Sequence, residues 1–290
     1  FNLGTATKVN MILHGDGSTN IFVKDGLLPF SKYEKETAPN AMKGSESDPR
    51  YQDREVNGQF DLILTNPPFS VELENDTKKT VKKDFMFGGK KNSENLFIER
   101  WYQLLRENGR LAAVLPESVY DTTENKYIRL FLYKYFTIKA VVSLPQLTFE
   151  PYTSTKTSIL FAQKKTKEEI DDWNKAWEEA SRIYGKLKTR AENMIAVFDG
   201  TKQKRKLPSI KDLTLEEETD VIRKLLKNHL SIRDDELDSN ALIAKYRTEL
   251  EEMCSLDKDT KDSFGHVNTW WVFNEVASQI NYSVFMAEAE

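Results

Sequence analysis

The chain has 290 residues, 39% of them hydrophobic and 30% charged, with a formal net charge of −4. That length allows one large core, or one domain with a helical extension. No stretch approaches the roughly eighteen consecutive apolar residues of a membrane helix, and the acidic balance is not that of an independent DNA binder, whose affinity rests on a strongly basic face. The single Cys254 excludes an internal disulfide and a multi-thiolate metal site, and fits a reducing, cytoplasmic setting. His14, His229 and His266 lie far apart without acidic or thiol partners at ligand spacing, so no metal is expected. No basic segment followed by an apolar run and a small-residue cleavage site is found, so secretion is not indicated.

In chain order, residues 1–13 read as the later part of an amphipathic helix ended at Gly15. Because the chain opens on Phe1, it is expected to be a piece of a longer one. Residues 21–23 are a short strand candidate. Residues 31–57, rich in charge, Pro and Ser, read as a long surface loop. Phe60–Thr65 (FDLILT) is a continuous apolar run of the kind found in a central parallel strand. Residues 70–92 are polar, carry Lys78, Lys79, Lys82, Lys83, Lys90 and Lys91, and read as a loop.

Ser93 suits the N-cap of a helix reaching residue 106, with Phe97, Ile98, Trp101, Leu104 and Leu105 on one face and Gly109 at its end. A strand over 110–115, a helix over 125–136 and strands over 139–143 and 157–163 follow. Only a loop separates the last two strands, which predicts an antiparallel pair. Strands alternating with helices imply an α/β fold, a parallel sheet covered by helices.

Beyond Lys165, Trp173, Ala176, Trp177, Ala180, Ile183, Tyr184 and Leu187 keep a 3.6-residue period over a long charged helix. Thr214 and Glu217 form a capping-box pattern ahead of Val221, Ile222, Leu225 and Leu226. Further helices are expected over 234–254 and 270–280, with the basic run at 202–206 as a connection. The division that results is a catalytic part over 1–165 and an all-helical, charge-rich extension over 166–290.

Asn66-Pro67-Pro68-Phe69 follows directly on the 60–65 run. In open parallel sheets ligands bind beyond the carboxyl ends of the strands. Two prolines fix two φ angles and remove two donors, leaving carbonyls as acceptors beside the Asn66 amide oxygen and the Phe69 ring. Acceptors beside a stacking face suit a planar base with an exocyclic amine. The Asn66 oxygen and Pro67 carbonyl would hold both amino hydrogens of an adenine and free the nitrogen lone pair, while Phe69 would stack on the extruded base. A match of this type arises by chance in about one per cent of chains this long. The plainer reading of these residues is a rigid strand-to-loop turn with an ordinary core phenylalanine.

With these residues in view, the sequence resembles the gamma-class DNA adenine-N6 methyltransferases, and within them the modification subunit of type I restriction–modification systems. Residues 9–15 (VNMILHG), 20–28 with Asp25-Gly26-Leu27, 109–117 (GRLAAVLPE) and 144–161 (LPQLTFEPYTSTKTSILF) carry the resemblance, which covers about residues 1–165. It implies a Rossmann-like S-adenosylmethionine-dependent methyltransferase fold, here partial and with its first strands missing. Asp25, Gly26 and Leu27 would contact the cofactor adenine, and double-stranded DNA, a specificity subunit and a restriction subunit would be the partners. The family's glycine-rich turn and the acidic residue for the cofactor ribose are absent from these residues. Lys78, Lys79, Lys82 and Lys83 would touch phosphates near the flipped base; a solvated lysine-rich loop is the plainer reading. Alternatives are a protein glutamine-N5 methyltransferase, which uses a similar tetrapeptide on a side-chain amide, an RNA base methyltransferase, and a non-catalytic assembly subunit that keeps the fold.

Overall fold

The computed structural model describes residues 3–15, 17, 21, 25–27, 57–69, 71, 73, 75–89, 93–280 and 283–289. Two compact units make up the chain, residues 1–168 with 283–290, and residues 169–282.

In the first unit the described elements are α1 (Leu3–Leu13), β1 (Phe60–Thr65), α2 (Asn75–Asp84), α3 (Ser93–Leu104), β2 (Leu105–Pro116), α4 (Ser118–Asp121), α5 (Lys126–Tyr135), β3 (Phe136–Ser143) and β4 (Thr157–Lys164). The last strand of the chain, β5 (Phe285–Glu288), returns to the same unit. The five strands form one sheet in the order β1-β2-β4-β3-β5, in which β1 pairs parallel with β2, β4 lies antiparallel between β2 and β3, and β5 runs parallel to β3. The expected α/β class and the antiparallel β3–β4 pair are therefore present.

Period-two burial organises the core. Leu111, Ala113 and Leu115 of β2 point inward beside Leu160 of β4. Leu96 and Ile98 of α3 and Ile128 and Phe131 of α5 are buried as well. Rings of Tyr102, Phe131 and Tyr135 approach with centroids 4.5–5.6 Å apart, filling the space between these helices.

Several expectations need correction. Residues 75–84 form α2 and not a loop; Thr77 and Val81, one turn apart, are buried while Lys78, Lys79 and Lys82 stay exposed. One turn of buried side chains is too short a period to stand out among lysines. The helix expected to reach residue 106 ends at Leu104, because Lys164 Nζ donates to the carbonyls of Tyr102 and Leu105 at 2.7 and 2.6 Å and closes its last turn. Gly109 therefore lies within β2, in a bulge where the β1 register jumps from Phe60↔Leu105 to Leu62↔Arg110. Asn108 takes φ 61° there, and a Cβ on Gly109 would lie 3.0 Å from the Phe60 carbonyl oxygen, so the close backbone approach requires glycine. β1 is an edge strand among the described residues, with Leu62 and Leu64 exposed. Gly15, at φ 83°, ends α1 as expected. The strand candidate at 22–23 and the loop over 31–56 lie outside the described residues, as do Lys90, Lys91 and the side chain of Lys83; Ile21 is in no strand.

The second unit takes in α6 (Lys167–Phe198), α7 (Leu215–Leu226), α8 (Ser239–Lys245), α9 (Arg247–Cys254), α10 (Lys261–Phe264) and α11 (Thr269–Ala277). On α6, Trp173, Trp177, Ala180, Tyr184 and Leu187 are buried on one stripe, the first two rings stacked at 6.0 Å. Thr214 and Glu217 cap α7 reciprocally, as expected. The single helix expected over 234–254 is broken: Asp238 caps α8 by accepting from Ala241 N at 2.9 Å, and Tyr246 leaves helical geometry between α8 and α9. The break lets the fully buried Asp234 gather Lys245, Ser231 and Tyr246, which hold its carboxyl well below the usual range, the lysine contributing most. The region after 165 is not all-helical either, since β5 joins the sheet of the first unit.

Candidate active site

Thr65, the last residue of β1, pairs with Ala113 of β2. The chain then leaves the ladder through two prolines that cannot donate to it. Asn66 and Pro68 are exposed, Pro67 is buried, and Phe69 is half-buried. Pro67 thus anchors the turn while the Asn66 amide stands at its surface.

The carboxyl ends of β1, β2 and β3 share one edge of the sheet with the start of β4, because Pro116 and Ser143 are register partners of Thr157 and Ser158. The 144–156 loop crosses that edge. It is tied down by Leu144 N donating to Thr157 O at 2.9 Å, Glu117 N to Lys156 O at 3.1 Å, and Lys156 Nζ to Leu144 O at 2.6 Å. Phe149 of this loop meets Phe69 edge-on, with centroids 6.4 Å apart and planes at 79°. Such a pairing fixes the orientation of the Phe69 ring. The same loop exposes Leu147 and Tyr152, the latter at 92%.

Asp25 belongs to a second cluster. Its carboxylate accepts from Leu27 N at 3.0 Å and from Thr77 Oγ1 at 2.6 Å, so the 25–27 turn is fastened to α2. Asp25 and Gly26 are exposed, Leu27 is buried, and a Cβ on Gly26 would lie 3.2 Å from the Phe97 ring. Lys78, Lys79 and Lys82 lie on α2, next to Thr77. Among the described residues no hydrogen bond, ion pair or ring contact joins Asn66 or Phe69 to Asp25 or α2.

Glu99 carries no signal in the sequence. Its buried carboxylate accepts from Met86 N at 2.5 Å and Phe87 N at 3.2 Å, holding the turn after α2, and burial pushes its pKa up to about 7 against those two bonds. Phe149 is a further residue that the sequence reading does not single out; its signal is an aromatic in the loop that rejoins the strand ends. Among the described residues no group of three or more His, Cys, Asp or Glu is placed to hold a metal, and no helix is long and apolar enough to cross a membrane.

A family model for N-6 DNA methylases matches residues 4–233. The chain belongs to the N-6 DNA methylase family. Its sheet of parallel and antiparallel strands with flanking helices is of the α/β class expected from the sequence. Over 107 residues it is 32% identical to a type I restriction enzyme EcoEI methylase subunit of Escherichia coli, a match covering 37% of this chain and 21% of that protein. Over 132 residues it is 29% identical to the type II restriction enzyme and methyltransferase RM.Eco57I of Escherichia coli, covering 41% of this chain and 13% of that one. A type I restriction–modification methyltransferase subunit from Streptococcus thermophilus is similar at 25% identity, with 55% of this chain and 31% of that one covered at a TM-score of 0.37. The chain thus spans about a fifth or less of the length of the curated relatives it matches.

Proposed function

We propose that this protein transfers a methyl group to N6 of an adenine in double-stranded DNA, as the modification subunit of a type I restriction–modification assembly in the cytoplasm. The observation that carries the reading is the exposed Asn66 amide at the carboxyl end of β1, followed by two prolines and a ring held edge-on by Phe149, in a chain of the N-6 DNA methylase family. Asn66 Oδ1 and the Pro67 carbonyl accept the two amino hydrogens of the base, and Phe69 stacks on it once it leaves the duplex. The rigid turn positions the nitrogen, so orientation supplies much of the rate.

S-adenosylmethionine supplies the methyl group. Asp25 fits one part of it: an exposed carboxylate, oriented by Leu27 N and Thr77, suits an adenine amino group, and Gly26 leaves room beside Phe97. Lys78, Lys79, Lys82 and Lys83 of α2 contact phosphates, and a specificity subunit reads the sequence while a restriction subunit completes the assembly. The acidic net charge agrees with recognition residing largely outside this chain.

A glutamine-N5 methyltransferase and a non-catalytic assembly subunit are the readings to separate. The complete chain with its specificity subunit is incubated with duplex DNA, a release-factor protein and methyl-labelled donor. Label is expected in DNA as N6-methyladenine alone. Label on glutamine, or none on either substrate, contradicts the proposal.

A further inference from the structure

One concavity of the first unit is not used by the tetrapeptide. Between α4 and α5 on one side and β3, β4 and β5 on the other lies a cavity of about 400 Å³. Leu132, Ile138, Val141 and Met286 give it apolar walls. Its polar end is built by the sheet register. Ser143 and Ser158 are cross-strand partners, and both hydroxyls donate to Oε1 of Glu117, at 2.9 and 3.3 Å. That fixes the Glu117 carboxylate at the cavity and leaves Oε2 without a hydrogen bond among the described residues. No lysine or arginine among them forms an ion pair with Glu117.

Tyr120 also lines the cavity, but its hydroxyl is buried without a hydrogen-bond partner and presents no surface to it. Burial first and the Glu117 charge second push its pKa up, so it is neutral at physiological pH. Arg129 also lines the cavity, but its guanidinium donates to the carbonyls of Val119 and Thr122 at 3.1 and 2.7 Å, and Asp121 adds a further negative charge. A carboxylate with no cation at the end of an apolar chamber is the kind of placed polar group that orients a ligand.

We propose that this cavity binds a small organic amine, with its ammonium on Glu117 and its compact apolar body against Leu132, Ile138, Val141 and Met286. The site is separate from the proposed transfer chemistry, since neither Asn66 nor Phe69 lines it.

Tyramine is the probe, with 4-ethylphenol as its uncharged analogue and 3-(4-hydroxyphenyl)propionate as its anionic one. Titration calorimetry on the complete chain, with a methyl-labelled Met286 resonance as reporter, reads the outcome. Saturable tyramine binding that shifts Met286 is expected, with 4-ethylphenol about tenfold weaker or worse and no binding of the acid. Glu117→Gln is expected to weaken tyramine at least about tenfold. Should Glu117→Gln fail to fold, Met286→Trp, at a position 68% exposed, narrows the cavity from its rim and is expected to block binding. Absence of tyramine binding at millimolar concentration, equal binding of the three probes, or affinity unchanged in Glu117→Gln or in Met286→Trp overturns the proposal.

Discussion

At the turn after α2, Glu99 lies buried between two backbone donors, Met86 N and Phe87 N. Its pKa of about 7 lies above the ordinary 4.5, so between those values the folded chain keeps a proton that the unfolded chain has lost. Stability from this group is therefore present below about 4.5 and lost as pH rises to about 7, by about 3 kcal/mol on the usual conversion. Urea midpoints measured between pH 5 and 7.5 are expected to fall with pH, and to fall less in Glu99→Gln; a rise in both would contradict the assignment. Phe69 is a second residue-scale test. Its half-buried ring forms a T-shaped pair with Phe149, and Phe69→Ala removes a stacking face worth about 1–3 kcal/mol per base, while Phe69→Tyr keeps it. Fluorescence of 2-aminopurine at the target position should report base extrusion abolished in the first and retained in the second.

The geometry of α2 turns on one glycine. A Cβ on Gly88 would lie 1.9 Å from the Val81 carbonyl oxygen, whereas one on Gly89 meets nothing within 4 Å. Gly88→Ala is expected to cost about 2 kcal/mol or more in denaturant unfolding, and Gly89→Ala to stay within about 0.5 kcal/mol. Equal effects would show that the turn relaxes freely. Elements with strong local patterns were legible in the sequence: the 110–115 part of β2, the α6 stripe and the α7 capping box all read directly. α2 was not, because among its described side chains only Thr77 and Val81 are buried, and β5 was not, because pairing with β3 across some 140 residues leaves no local mark. The helix end at Leu104 depended on Lys164, sixty residues downstream, which no local signal announces. Of the candidate site, the position of the tetrapeptide at a strand end was legible; its approach to Phe149 depended on β4 folding back between β2 and β3.

On the scale of the whole molecule, a net charge of −4 sits with a lysine-bearing α2 next to Asp25. Replacing Lys78, Lys79, Lys82 and Lys83 by glutamine is expected to weaken DNA binding by the assembled enzyme without altering its preferred sequence. For every phosphate that a lysine no longer neutralises, the slope of log affinity against log salt becomes shallower by about 0.9. An unchanged affinity and slope would leave these lysines as a solvated face. The central claim concerns Asn66, and single-turnover methyl transfer by Asn66→Ala in the assembled enzyme tests it most directly. Removal of one acceptor for the amino group predicts a rate about a hundredfold to a thousandfold lower, with affinity for S-adenosylmethionine little changed. An Asn66→Ala enzyme that methylates N6 of adenine at the unaltered rate would contradict the account.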